Sequence, residues 1–294
     1  MGDGPSDPAG DFLMTVTPLW TDQLRALGVG REWEEWPGKH LIQTQLSGWG
    51  GSSIFAATSL VPSQPRYLVS RVEVETFIRA QAETRGVELC RRQENLARGA
   101  KLTVDATGRS AHFARRAGAE WCSYAPLLSH QMIVSRSQMP PNSIAVVSSD
   151  DGWWFAASAG GRTNVMFMSS TRQTSTPIAP GMPPELAELV SECRLGPPRL
   201  ASMSWLEQCS GEGWFAVGDA ALAVDPICGA GLETAAATAG LLDQILDKGE
   251  EASRCFNDAM LRLIAEQRIA RHRLYTRAAA GHRGSSFWSC HATL

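Results

Sequence analysis

Gly213–Leu242 reads GWFAVGDAALAVDPICGAGLETAAATAGLL. Trp214 to Val217 is a short apolar run of the kind that forms a buried strand, and Gly218-Asp219 ends it. Asp225-Pro226 marks a turn. Gly229 and Gly231 then open an alanine-rich helix that continues as GLETAAATAGLLDQIL. A carboxylate at the end of a parallel strand, here Asp219, can accept hydrogen bonds from the hydroxyls of a ribose or ribityl chain. Glycines at a helix start let the backbone approach a planar ligand, and the first N–H groups with the helix dipole stabilise negative charge there. Ala235, Ala236, Ala237 and Ala239 let the helix sit close against a sheet. The same pattern also fits a glycine-rich strand–turn–helix that holds no ligand.

Upstream, Lys101 to Ala106 (KLTVDA) is a short strand running into Thr107-Gly108-Arg109. Val72 to Glu83 has helical spacing, Gly86 stops it, and Val87–Cys90 reads as a strand. Thr17 to Leu27 is a short helix ending at Gly28. His40 to Thr58 is a strand broken by the glycine turn of SGWGGSS. In the middle of the chain, Gln131–Ser137, Ser143–Ser149, Trp153–Ser158 and Thr163–Ser169 are short, β-prone and separated by Pro, Asp-Gly and Gly-Gly. They predict an antiparallel sheet of about four strands. Pro183-Pro184 opens a helix, PPELAELVSEC. Ser202–Leu206 is a further strand, and Ala252–Ala278 is helical. The order predicts an α/β (α+β) fold in three parts, at residues 1–124, 125–206 and 207–294.

The chain has 294 residues, with 27 Lys+Arg against 30 Asp+Glu and a net charge of −3. That balance gives no general attraction to nucleic acid. No apolar run reaches the roughly 20 residues of a membrane span. MGDGPSDPAGD has neither the basic nor the apolar region of a secretory signal, so a cytoplasmic location is expected. The seven cysteines form no CxxC and the six histidines no HExxH, so no metal site is expected. No GxSxG nucleophile elbow occurs.

GDAALAVDPICGAGLETA resembles the second FAD-binding motif of FAD-dependent monooxygenases, GDA…DP…G.G…A, and is nearest to the tryptophan-halogenase-like branch. VSRVEVETFIRAQAETRGVEL resembles the family stretch whose arginine, here Arg71, lies near the flavin. VDATGRSAHFARRAGA resembles its DATG motif, which carries Asp105, Gly108 and Arg109. DGWWFAASAGGRTNVMFMSS is similar to a strand pair of the substrate sheet, and RLYTRAAAGHRGSSFWSCH to a C-terminal Y…R…FW pattern.

The resemblance implies a truncated FAD-binding Rossmann-like domain, an antiparallel β-sheet substrate domain at 125–206 and a helical C-terminus. It implies FAD held by Arg71, Asp105, Gly108, Arg109, Gly218, Asp219, Pro226, Gly229 and Gly231. Trp49, Trp153 and Trp154 are the candidate substrate-chamber residues. Neighbours on one strand point to opposite faces, so one of Trp153 and Trp154 is expected in the core and the other on the chamber. The implied activity is an FAD-dependent monooxygenase that hydroxylates an aromatic or peptide-bound aromatic substrate through a flavin C4a-peroxide. A flavin reductase or a complementing subunit is the implied partner, and no catalytic residue is assigned.

Three departures matter. The family's opening GxGxxG has no counterpart: Gly2 and Gly4 are followed by Asp7, so the first βαβ unit is expected to be missing. RRQENLARGA joins VELC to KLTVDATG directly, which shortens a second region. WWFAA stands where halogenases carry WxWxIP, which counts against halogenation, and Lys39 is the only lysine near the SGWG turn. The alternatives are an accessory relative that binds FAD weakly or not at all, and a flavin-dependent halogenase. Cys228 adjoins the turn with no base identifiable beside it.

Overall fold

The computed structural model describes residues 11–51, 55–56, 65–90, 100–170 and 182–293. The chain begins with β1 (Leu13–Val16), α1 (Pro18–Ala26), α2 (Gly30–Glu35), β2 (Lys39–Leu41), β3 (Thr44–Gly48), β4 (Phe55–Ala56), β5 (Tyr67–Ser70) and α3 (Arg71–Thr84). Next come β6 (Thr103–Asp105), α4 (His112–Arg116), β7 (Trp121–Ser123), β8 (Leu128–Ser137), β9 (Ser143–Ser149), β10 (Gly152–Ala159) and β11 (Arg162–Ser169). α5 (Pro184–Leu189) leads into β12 (Val190–Leu200), followed by β13 (Ser204–Leu206), β14 (Ser210–Gly211), β15 (Trp214–Ala216) and β16 (Leu222–Ala223). Three helices close the chain: α6 (Gly231–Leu246), α7 (Ala252–Gly281) and α8 (Ser286–His291). The fold is mixed α/β with a helical C-terminus.

Local chemistry sets the helices that frame the site. Pro18 sits in the first turn of α1, where its missing N–H costs nothing. That helix buries Trp20 and Leu24, and Gly28 beyond it takes a left-handed φ of +72°. Ser70 caps α3 by accepting from Glu73 N at 3.2 Å. α6 packs in two directions: Ala236 packs with Val16 and Trp20, while Leu242 and Ile245 pack with Phe215 and Val217 of the β15 region.

Among the described residues the large sheet has seven strands, ordered β12-β8-β11-β10-β9-β3-β4, where the sequence pattern predicts about four. The strands at its centre are the ones whose alternation is legible, joined by tight turns. The added strands come from elsewhere. β3 pairs parallel to β9, with Thr44 opposite Ser143, so the sheet takes in chain from both sides of residues 124/125. The expected helix PPELAELVSEC stops at Leu189, and Val190–Leu200 pairs antiparallel with β8 instead. Pro197 and Pro198 cannot continue a helix. They are tolerated here because β12 is an edge strand whose register shifts between Leu195 and Pro198. Val87–Cys90 forms no strand. The RRQENLARGA linker, apart from its last residue, and the N-terminal glycines Gly2 and Gly4 with Asp7 lie outside the described residues.

The β10–β11 hairpin sorts its side chains by parity. Trp154, Ala156, Val165 and Phe167 enter a core cluster with Leu186 and Val190. Trp153, Phe155, Met166 and Met168 face the other way, toward the C-terminal helices and the turn that opens α6. β15 pairs parallel to β6, with Ala216 opposite Asp105, and this is the strand pair that carries the site.

Candidate functional site

Two turns leave the C-terminal ends of β6 and β15 side by side, the position where open parallel sheets hold ligands. Val217 N donates to Asp105 O at 3.0 Å and keeps the turns in register. Gly218 has φ +58°, and its N–H donates to Thr238 Oγ1 of α6 at 2.8 Å. A Cβ at residue 218 would stand 3.4 Å from the Ala235 methyl, so the glycine and the alanine together permit this close approach.

Asp219 follows with its side chain 44% exposed, and its carboxylate accepts no hydrogen bond among the described residues. Its nearest cation is Arg109 Nε at 3.9 Å. Partial burial raises the Asp219 carboxyl pKa above its ordinary value, against the pull of Arg109 and Arg71. Arg109 is largely committed to backbone. It donates to Ser202 O, and at 3.4 Å to Ala201 O and Val224 O. Arg71 is more open; its Nε meets Glu75 Oε1 at 2.9 Å and its guanidinium lies over Phe12. Gly108 sits at φ +66° with open space where a Cβ would be.

Asp105 turns inward. It is 1% exposed and accepts from Thr107 N at 2.9 Å, Thr107 Oγ1 at 2.7 Å and Ala114 N at 2.8 Å. Burial alone would raise its pKa, but these hydrogen bonds outweigh it and hold the carboxyl below the ordinary value. It shapes the DATG turn rather than facing the crevice.

The second turn, Pro226–Cys228, is a single helical turn capped by Asp225, whose Oδ1 accepts from Ile227 N at 3.1 Å. Gly229 follows in a left-handed conformation, φ +60°, and a Cβ there would lie 3.6 Å from Thr15 Oγ1. Gly231 opens α6, and a Cβ on it would meet nothing within 4 Å. Ala230 supplies no side-chain cap, and Glu233 Oε1 accepts from Thr17 N at 2.8 Å, outside its own helix. The first-turn N–H groups of α6 are therefore without a side-chain acceptor from their cap, which suits an anionic or carbonyl oxygen.

A cavity of about 190 Å³ adjoins this helix start. One wall is Pro226, Gly229, Gly231 and Leu232; the opposite wall is Trp153, Phe155, Met166 and Met168; the segment from Phe12 to Thr15 closes the side. Of the three tryptophans proposed for a chamber, only Trp153 lines it. Trp49 stands behind it, edge-on to Trp153 at 6.3 Å and to Trp288 at 5.5 Å. Trp154 lies on the far face of the sheet, stacked on Phe167 at 4.2 Å, because adjacent strand residues point apart.

Sequence reasoning missed the group beneath the turn. Asp225, read there as a turn residue, is 1% exposed and pairs with Arg271, also 1% exposed, at 3.1 Å. The Tyr275 hydroxyl lies 3.3 Å from each of the Asp225 oxygens. The Arg271 guanidinium lies between the Tyr124 and Tyr275 rings, at 4.1 and 4.5 Å, and donates to His291 O at 2.9 Å. Burial, followed by the positive charge of Arg271, pushes the His291 pKa down to about 4. Arg271 and Tyr275 are one helical turn apart, but no local pattern joins them to Asp225, 46 residues upstream of Arg271.

Three other groups resolve as architecture. Lys39 Nζ donates to the carbonyls of Trp33, Glu34 and Trp36 at 2.6–2.9 Å, so its three protons close the end of α2. Cys228 has its thiol pKa pushed up to about 12 by burial and by Asp225, which disfavours the thiolate. Ser148, His282 and Asp150 stand in hydrogen-bonded sequence, at 2.8 and 2.9 Å. Ser148 Oγ is already engaged by Gly50 N at 2.9 Å and Gly48 O at 3.2 Å, so this relay ties the glycine turn to the end of α7.

No protein-family model and no curated protein sequence matches the chain. Solved structures do. The peptidyl tryptophan dihydroxylase QhpG, essential for tryptophylquinone cofactor biogenesis, superposes with a TM-score of 0.69 at 20% identity, over 95% of this chain and 70% of that one. The flavin-dependent halogenase CmlS gives 0.74 at 15% identity, over 100% and 62%. The 2-methyl-3-hydroxypyridine-5-carboxylic acid oxygenase gives 0.64 at 14% identity, over 92% and 82%. The fold is thus the one shared by flavin-dependent halogenases and oxygenases. The chain spans 62% of the length of CmlS.

Proposed function

We propose that this chain is an FAD-dependent monooxygenase acting on an aromatic ring, and that the ring is part of a larger molecule such as a peptide. The observation that carries the reading is one juxtaposition: the unoccupied acceptor oxygens of Asp219, the uncapped start of α6 and an apolar cavity beside them. The donor set fits FAD, because it offers a carboxylate for ribityl hydroxyls, cations for phosphate and N–H groups for the pyrimidine edge of the flavin. The open space at Gly231 is what a planar ring needs to reach those N–H groups.

When bound, FAD supplies the redox chemistry with dioxygen. The chain's residues do the rest. Asp219 accepts hydrogen bonds from the ribityl chain, with Gly218 setting its position. Arg71, the more exposed of the two arginines, reaches phosphate oxygens, while Arg109 holds the Asp219 turn against Val224. Asp105 and Gly108 keep the neighbouring turn in shape. Gly229 and Gly231 bring backbone N–H groups to the ring edge, and Pro226 shapes the surface beneath it. Trp153, Phe155, Met166 and Met168 exclude water and hold the substrate ring. In this division, segments 1–124 and 207–294 serve the cofactor and 125–206 serves the substrate.

Among the described residues the cavity wall carries no charged side chain to satisfy the ammonium and carboxylate of a free amino acid, which supports a ring presented on a larger molecule. The likeness to a peptidyl tryptophan dihydroxylase points the same way. No lysine lines the cavity and Lys39 is committed to α2, so monooxygenation has more support than halogenation.

Titration of the purified chain with FAD tests the reading. The expected result is flavin absorbance that stays with the protein on gel filtration, with a rise in Tm. A colourless protein whose Tm ignores FAD would favour an accessory role.

A further inference from the structure

α7 turns Phe256, Met260, Ile264 and Tyr275 into the body of the molecule. A helix packed in this way normally presents a polar outer face. The outer face of α7 departs from that pattern, because Leu261 is 55% exposed and Ile269 46%. They are eight residues apart, about 12 Å along one side of the helix, and the exposed Ala265 stands midway between them. Charges border this line: Asp258, Arg262, Glu266 and Arg273 are all exposed. None of the four forms an ion pair among the described residues, and Arg262 Nε donates to the backbone carbonyl of Asp258 at 3.2 Å.

We propose that this face pairs with the same face of a second copy of the chain, the two α7 helices running antiparallel about a two-fold axis at Ala265. That alignment sets Leu261 opposite Ile269 of the partner subunit, and the two-fold repeats the contact. The small Ala265 lets the helices approach at the axis. The same alignment brings Arg262 to Glu266 and Asp258 to Arg273 between subunits, each pair occurring twice. Parallel pairing in register would set every charge against its like, so the charges select the antiparallel arrangement. With two charges of each sign, the face suits its own reversed copy and gives no net attraction to an anionic surface. The stripe from Asp258 to Arg273 covers about four helical turns. Interfaces under about 1,200 Å² are weak, so the dimer is expected at roughly tens to hundreds of micromolar. The proposal does not depend on the cofactor reading.

Sedimentation velocity of the full chain, from about 5 to 500 µM with and without FAD, is the test. Wild type is expected to shift from monomer to dimer and stop there, because a two-fold contact closes on itself. FAD leaves that shift in place. Ile269→Glu puts a charge into the apolar seam and abolishes the dimer over this range. Arg262→Glu and Glu266→Arg each turn two attractive pairs into two repulsive ones, and each weakens the dimer about three- to thirtyfold. The double variant Arg262→Glu/Glu266→Arg exchanges the charges and restores affinity to within about threefold of wild type. Circular dichroism melts establish that every variant is folded. The proposal is overturned if wild type stays monomeric at the highest concentration, if association runs on past the dimer, if Ile269→Glu still dimerises, or if the folded double variant shows no recovery. A monomer that binds phosphatidylserine vesicles through Leu261 would give the face to a membrane and overturn it as well. A colourless protein that dimerises with charge rescue would sink only the FAD reading, and a yellow monomer would sink only this one.

Discussion

Asp219 and Asp225 lie six residues apart, at the two ends of one glycine-rich connection, and their surroundings are opposite. Asp225 has its oxygens occupied by Arg271 Nε, Ile227 N and the Tyr275 hydroxyl, with almost no solvent contact. Asp219 is nearly half exposed, with its closest cation at 3.9 Å and no hydrogen bond to its carboxylate among the described residues. A buried carboxylate with both oxygens engaged holds the fold in one geometry. An open one with its acceptors free is available to a ligand. Asp105, at the end of the neighbouring strand, belongs with Asp225 in this respect, although the sequence motif places it with Asp219.

The largest expected effect comes from breaking the buried pair. Asp225→Ala leaves Arg271 charged and unpaired, and should cost about 3–5 kcal/mol. Asp219→Ala should change stability by no more than about 0.5 kcal/mol. Urea unfolding of both variants is the check, and equal losses would erase the contrast between the two carboxylates.

The same buried group makes a pH prediction. His291 has its folded pKa depressed to about 4 from 6.5, so its contribution is present above pH 6.5 and is lost as pH falls toward 4. The full loss is about 3 kcal/mol. His291→Gln should flatten that limb of the stability profile; an unchanged slope would remove the histidine from the account.

Next in size is ligand affinity at the open carboxylate. Asp219→Asn should weaken FAD binding by about tenfold or more, the value of a hydrogen bond to a charged group. Its raised folded pKa gives a second sign. The stability linked to its protonated form is present below pH 3.8 and lost as pH rises through the folded pKa, so Asp219→Asn should be slightly more stable than wild type at pH 7. Calorimetric FAD titration and thermal melts read the two effects separately, and an amide that lowers both would place Asp219 with Asp225.

The smallest effect is at Gly231. Gly231→Ala should raise stability by up to about 1 kcal/mol through helix propensity, since its methyl meets no protein atom, while weakening FAD binding. Unaltered FAD affinity in that variant would show that the ring does not approach the start of α6.

The strand–turn–helix around Asp219 was legible because each of its signals is local: an apolar run, Gly-Asp, Asp-Pro, then glycines before alanines. The central hairpins were legible for the same reason, through alternation and Gly-Gly turns. The residues at 190–200 were not, because pairing with β8 overrides the helical pattern that precedes them. Parity showed that Trp153 and Trp154 face apart, but the face that borders the cavity is fixed by α6 and the 226–229 turn, far along the chain. Thr15 and Arg271 carried no local signal; each acquires its meaning from a residue brought to it by the fold.

The parallel pairing of β3 with β9 also governs the order of events during synthesis. Gly48 and Ser148, which share a hydrogen bond, are 100 residues apart. At about 5–20 residues per second, the earlier strand waits roughly 5–20 s on the ribosome before its partner exists. During that interval β3 presents an unpaired edge, and the nascent chain is at its most exposed to wrong partners.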